Sequence, residues 1–216
     1  MEGIQAIMKV IIVANSPEKT FTHQYHFNPS DYFIGVDGGN MVLHQRHICP
    51  DMAMGDFDST DKLKEIQSFA YQTQIYPSQK NEIDLELALM HMASLKGTRH
   101  LDIEVYDALG GRLDHEYAAY RLLAKYKDYQ IHLLNEHNHI QYLQKGTCYT
   151  IPKDYRYFSI FADMDSVVTI ENAAYPLQEV TLKKQDTYAV SNESLSTSLH
   201  AKVSVQSGGI FIFMYK

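Results

Sequence analysis

The chain has 216 residues, of which 45% are hydrophobic and 21% charged, the balance of a globular protein with room for one large domain or two small ones. A formal charge of −7 argues against a broad phosphate-backbone footprint, so nucleic acid is not an expected partner. Cys49 and Cys148 stand far apart in no metal-type spacing, which points to a reducing compartment rather than a disulfide framework.

The first apolar run, residues 7–14, contains Lys9 and leads into Asn15-Ser16-Pro17. It is too short to span a membrane and reads as a buried strand over 10–14 rather than a signal peptide. A cytoplasmic protein with no membrane partner is the expectation. A second strand, Tyr32–Val36, ends in Asp37-Gly38-Gly39-Asn40, where residues 41–47 can begin a helix. Two readings of that turn stand side by side: glycines that let a phosphate approach the backbone at a helix start, or a tight turn with Asp37 as helix cap.

Residues 52–54 form a third short run and enter Met54-Gly55-Asp56-Phe57-Asp58-Ser59. In extended backbone, residues i and i+2 point the same way with Cα atoms roughly 6.6 Å apart. Asp56 and Asp58 can therefore reach one cation, which would relieve their mutual repulsion. A fourth strand over 73–76 stops at Pro77, and a helix over 82–96 ends at Gly97. Its stripes, Ile83-Leu87-Met90 and Leu85-Leu89-Met92, predict a broadly buried helix. Asp84 in its first turn either complements the helix dipole or supplies a third oxygen ligand.

Leu101, Ile103 and Val105 alternate as a strand, followed by Gly110-Gly111-Arg112-Leu113-Asp114-His115 and a helix whose face is expected to carry Leu113, Tyr117, Tyr120 and Ala124. Tyr117, Tyr120 and Tyr126 read as core. Arg112 at a helix start opposes the dipole, but suits a site where an anion is clamped. Asp114 and His115 are placed to orient a nucleophile or a water. Residues 131–134 supply another strand. The histidine pairs His23/His26 and His44/His47 have no third ligand in the pattern, so zinc is set aside.

After Asn135 the helical periodicity gives way to short runs at 157–161, 167–170, 180–182, 188–190 and 203–205. The last run, residues 210–215, is apolar on both faces, as in a central strand or a subunit interface. Ser191 and Asn192 read by default as a turn after a strand. The expected fold is α/β: a Rossmann-like parallel sheet flanked by helices over 1–135, then a smaller all-β sandwich or barrel-like domain over 136–216.

Taken together, Asp37-Gly38-Gly39, Gly55-Asp56-Phe57-Asp58-Ser59, the run from Ile83 to Leu89 and Gly110-Gly111-Arg112-Leu113-Asp114-His115 resemble the thiamine pyrophosphokinases of bacterial type. Phe158-Ser159-Ile160, Tyr175-Pro176-Leu177 and Val190-Ser191-Asn192-Glu193 extend the resemblance along nearly the whole chain. It implies transfer of a diphosphate group from ATP to thiamine, giving thiamine diphosphate and AMP. It implies Mg²⁺ held by Asp56, Asp58 and Asp84, and ATP bound around Asp37, Gly38, Gly39, Lys80, Gly110, Gly111 and Arg112. Catalysis would fall to the three aspartates with Arg112, Asp114 and His115, and thiamine contacts to Ser191 and Asn192 in a homodimer. The chain departs from the family pattern at Asn81, where an acid is usual, at Asn40, and at 15–17, which lacks glycines. It has no Trp, so any ring stacking on thiamine falls to Tyr or Phe. Another Mg²⁺-dependent nucleotide hydrolase or diphosphotransferase, or a non-catalytic thiamine or nucleotide sensor, stays open beside this reading.

Overall fold

The computed structural model describes residues 7–57, 62–95, 100–195 and 200–216. Their contacts divide the chain into two compact units, Met1–Leu122 with Asp128–Glu136, and Leu123–Lys127 with His137–Lys216. The architecture is mixed α/β, with parallel strands in the first unit and antiparallel ones in the second.

The first unit runs β1 (Ile7–Val13), α1 (Phe21–Gln24), β2 (Tyr32–Val36), α2 (Gly39–Gln45), β3 (Met52–Gly55), α3 (Leu63–Phe69), β4 (Thr73–Ile75), α4 (Asp84–Leu95), β5 (His100–Tyr106), α5 (Leu113–Lys125) and β6 (Gln130–Leu134). Its strands lie in the order β4-β3-β2-β1-β5-β6, and every neighbouring pair is parallel. β1 sits inside this sheet because Val10, Ile11, Ile12 and Val13 are apolar on both faces and fully buried. The order steps outward from β1 to β4, then returns through α4 to place β5 on the other side of β1. In such sheets ligands bind where the direction reverses, beyond the carboxyl ends of the strands.

The second unit holds β7 (Asn138–Gln144), β8 (Cys148–Thr150), β9 (Tyr157–Ala162), β10 (Ser166–Glu171), β11 (Leu177–Leu182), β12 (Lys202–Ser207) and β13 (Gly209–Tyr215). β13 pairs antiparallel with β7 on one side and β9 on the other, and β11-β10-β12-β8 form a separate antiparallel sheet. Ile210, Ile212 and Met214 of β13 join Val168, Ile170, Val203 and Val205 of the other sheet in one core. On the opposite face of β13, Phe211 meets Tyr142 at 5.2 Å and Phe213 meets Phe161 at 5.5 Å. The central-strand reading of this two-faced run is the one realised.

Several expectations are corrected. Leu113 and Tyr117 are 80% and 65% exposed, and the buried stripe of α5 is Ala119, Leu122 and Leu123. Met90 is likewise 46% exposed, leaving Leu85, Leu87, Ala88, Leu89 and Met92 as the packed side of α4. Residues 188–190 form no named strand, although Ile160 donates to the Ala189 carbonyl at 2.9 Å. The left-handed turn at Ser191 (φ 54) breaks the ladder there. β7 was not foreseen because two of its inward side chains are polar. His139 and Gln141 are buried and linked at 2.8 Å, and His139 Nδ1 reaches the Tyr155 hydroxyl at 3.1 Å. α1 and α3, the latter charged and anchored by Ile66, carry no clear periodicity in the sequence, and Gly97 lies outside the described residues. Cys49 and Cys148 are free and exposed. Among the described residues no helix is long and apolar enough to cross a membrane.

Ile212→Ala, in the buried centre of β13, is expected to cost about 2–5 kcal/mol by urea denaturation. Tyr117→Ala, at an exposed site, should stay within about 0.5 kcal/mol of the parent.

Candidate active site

The parallel register brings acidic residues of β2 and β3 to one edge. Val36 pairs with Met54, and the Asp37 amide donates to the Met54 carbonyl at 2.8 Å. Asp37 adopts a left-handed φ of 47°, so its side chain turns back over the strand ends instead of continuing the pleat. Beside it, Gly55 has φ 152°, and a Cβ there would collide with the Asp37 carboxylate. Glycine at this position is what lets two acidic loops approach so closely. Phe57 (φ 54) is buried against Ala53 and Ile66, which anchors the loop just after Asp56. α4 packs on β2 and β3, and its first residue is Asp84, where the helix dipole favours an acid.

Three carboxylates therefore converge from three elements: Asp37, Asp56 and Asp84. Burial is the main cause that lifts Asp37 to about 7, reinforced by the charges of Asp84 and Asp56, while Lys80 opposes the shift. Asp37 Oδ1 and Asp84 Oδ1 are both buried and accept no well-aligned hydrogen bond among the described residues. Lys80 Nζ lies 2.9 Å from Asp84 and 3.7 Å from Asp56, with its side chain only 10% exposed. Hard carboxylate oxygens that outnumber the cation beside them are the chemistry of a divalent-cation site, so the residues fit Mg²⁺. Even so, among the described residues no three metal-ligating groups close into a cage. Mg²⁺ typically completes its shell with water and substrate phosphates. Asp58, expected as a ligand, lies outside the described residues.

The glycine turns are occupied in a way the sequence did not suggest. The loop after β1 lies over both of them. The Asn15 side chain fills the space at Gly38, the Glu18 carboxylate fills it at Gly110 (φ 79), and Pro17 abuts Gly111. Asp107, buried at the end of β5, fixes this loop by accepting from the Thr20 hydroxyl at 3.0 Å and the Phe21 amide at 3.1 Å. The Ser16 hydroxyl ties it down again by donating to the Leu109 carbonyl.

Past Gly111, Arg112 and Asp114 form a two-point ion pair, Nε to Oδ1 at 3.1 Å and Nη2 to Oδ2 at 2.5 Å, in the open. Those hydrogen bonds hold the Asp114 carboxyl at about 2. With both oxygens engaged, Asp114 serves Arg112 better than it would serve as a base. His115 is exposed beside it. The pair follows β5, two strands from β2, which is about 10 Å at the usual strand spacing.

In the second unit, Asn192 is buried and its side chain makes three hydrogen bonds to backbone. It accepts from the Tyr175 and Glu193 amides at 3.0 Å each, and donates to the Tyr175 carbonyl at 2.8 Å. Ser191 is the exposed member, its amide donating to Ser159 Oγ at 3.0 Å. Two residues had no metal-side role in the sequence reading. Asp37 was assigned to the nucleotide, and Lys80 gave no sign that it pairs with the aspartates.

Comparison with known proteins agrees with this geometry. The family profile described as "Thiamin pyrophosphokinase, catalytic domain" matches residues 23–135, a stretch that includes Asp37, Asp56, Lys80, Asp84 and Arg112. The chain belongs to the thiamine pyrophosphokinase family. It is 32% identical over 196 residues to the thiamine pyrophosphokinase of Bacillus subtilis strain 168, covering 86% of this chain and 90% of that protein. Among solved structures, a thiamine pyrophosphokinase from Bacillus subtilis superposes with TM-score 0.82 at 27% identity, covering 96% of this chain and 99% of its own. One from Geobacillus thermodenitrificans gives TM-score 0.82 at 26% identity, with 97% and 98% covered. Thiamine pyrophosphokinase activity, a group transfer, is thereby assigned.

The raised Asp37 carboxyl sets a pH dependence. Its folded value, about 7, lies well above the ordinary carboxylate range, so the folded state binds the extra proton. That contribution to stability is complete below about pH 4 and is lost as pH rises through 7. In metal-free buffer Tm should fall from about pH 5 to about pH 7, and Asp37→Asn should flatten the slope. An unchanged slope in the variant would place the titration elsewhere.

Proposed function

We propose that the chain transfers the diphosphate group of ATP to the hydroxyethyl oxygen of thiamine, with Mg²⁺, releasing AMP. The new bond forms between the alcohol oxygen and the β-phosphorus, the bond from that phosphorus to the α-phosphate bridging oxygen breaks, and the alcohol proton is lost. The observation that carries this reading is the convergence of Asp37, Asp56 and Asp84 beyond the carboxyl ends of parallel strands, with the buried oxygens Asp37 Oδ1 and Asp84 Oδ1 accepting no well-aligned hydrogen bond among the described residues. Asp56, Asp84 and Asp37, with Asp58, would hold the ion. When bound, Mg²⁺ supplies charge neutralisation on the phosphates and fixes the β-phosphorus for attack.

The protein's own groups do the rest. Arg112 can exchange its exposed carboxylate partner for phosphate oxygens and meet the charge that builds on them and on departing AMP. Asp114 holds the guanidinium until that exchange. His115, exposed next to it, is available to orient the alcohol. The turns at Gly38-Gly39 and Gly110-Gly111 would offer backbone amides to the nucleotide. On the acceptor side, Ser191 is presented by the turn that Asn192 holds. A thiazolium cation suits an acidic protein.

The wider architecture is read as a Rossmann-like ATP domain over residues 1–135 and a β-sandwich thiamine domain over 136–216. The protein would work as a cytoplasmic homodimer.

Incubation with ATP and Mg²⁺, with and without thiamine, tests the assignment through AMP release. Thiamine-dependent AMP is expected. ATP loss indifferent to thiamine would mean a nucleotide hydrolase, and ligand-induced thermal stabilisation without turnover would mean a sensor. Asp56→Asn and Arg112→Ala should each lower kcat by on the order of 10²–10³ while circular dichroism stays that of the parent.

A further inference from the structure

Lys80 is an unusual lysine. It precedes α4, four residues before Asp84, and its side chain is 10% exposed, although lysine is among the side chains that most resist burial. A buried ammonium is tolerated only where partners replace its water. Here they come from two elements, Asp84 at the start of α4 and Asp56 after β3. Both carboxylates lie within ion-pair distance of the one ammonium.

The oxygen Lys80 touches most closely, Asp84 Oδ1, is also one of the two buried oxygens without an aligned donor. An ammonium has three donors and no acceptor, and it carries a single charge. One such charge among three carboxylates, of which Asp37 keeps its proton up to about pH 7, leaves the cluster net negative, so attraction for a divalent ion persists.

We infer that Lys80 is the site's resident counter-ion, a positioning residue that holds Asp56 and Asp84 together and yields their oxygens to an incoming divalent cation. Entry of the cation and release of the ammonium toward the metal's phosphate partner are then one exchange. The inference rests on the metal reading given under the proposed function. Mg²⁺ and the lysine compete for the same oxygens, so the lysine weakens metal binding by the free protein while stabilising the site without metal. In exchange it becomes a phosphate ligand only when metal is present.

The test measures Mn²⁺ binding by electron paramagnetic resonance and Tm with and without Mg²⁺, on the full chain and on Lys80→Met and Lys80→Arg. A single and a double positive charge about 5 Å apart repel enough, even at the dielectric constant of water, to change Kd roughly tenfold. Lys80→Met is therefore expected to bind Mn²⁺ about tenfold more tightly than the parent. It should also melt several degrees lower in metal-free buffer, with Mg²⁺ restoring the loss. Lys80→Arg should behave like the parent in both respects.

A separate readout needs no destabilised variant. In the parent protein carrying ε-¹³C lysine, the Lys80 resonance, identified by its absence in Lys80→Arg, should shift as Mg²⁺ saturates the site. Unchanged or weaker Mn²⁺ binding by Lys80→Met, or a Lys80 resonance that ignores Mg²⁺, overturns the inference while leaving the metal reading intact. A parent protein that binds no Mn²⁺ overturns the metal reading, and the inference falls with it.

Discussion

Negative charges of like sign do not crowd together in a folded chain unless something offsets their repulsion and their lost hydration. In the first unit three aspartates do crowd, and the rest of that unit is arranged around the need to compensate them. One carboxyl holds its proton to near neutrality, a lysine is drawn in from the loop before α4, and Asp84 sits in the first turn of α4, where the helix dipole favours an acid. Each device is partial. The remaining imbalance is what makes the edge receptive to a doubly charged ion and to the phosphates that travel with it.

The fold makes the crowding possible through backbone register. Parallel pairing aligns the carboxyl ends of β2 and β3, so residues far apart in sequence leave the sheet side by side. Gly55 admits the neighbouring carboxylate, and Phe57 pins the loop from below. The return of α4 across β2 and β3 supplies the third acid. None of these steps needs an unusual side chain. They need a glycine where two loops touch and an apolar anchor one residue beyond the acid.

Most of the strands were legible because runs such as Val10-Ile11-Ile12-Val13 are apolar in both directions, which few alternatives can bury. β7 was not, since His139 and Gln141 satisfy each other inside the core and so disguise the inward face. On α5, Leu113 and Tyr117 suggested a stripe by residue type, whereas the helix actually turns the smaller Ala119 with Leu122 and Leu123 inward. At the site, Asp56, Asp84 and Arg112 announced themselves by motif. The involvement of Asp37 could be known only from strand register, because an Asp-Gly-Gly turn reads equally as a cap. The Arg112–Asp114 pair was equally hidden: residues two apart do not face each other on a helix, but Arg112 precedes the first turn and is free to fold back.

The short loop after β1 carries an implication for how this site can change. Because Asn15 sits on one glycine turn and Glu18 on the other, a single span of backbone gauges the height of both. Lengthening that span, or exchanging either side chain for a bulkier one, would unseat two distant corners of the sheet edge at once. The two corners are thus mechanically yoked, and neither can be remodelled without the consent of the other.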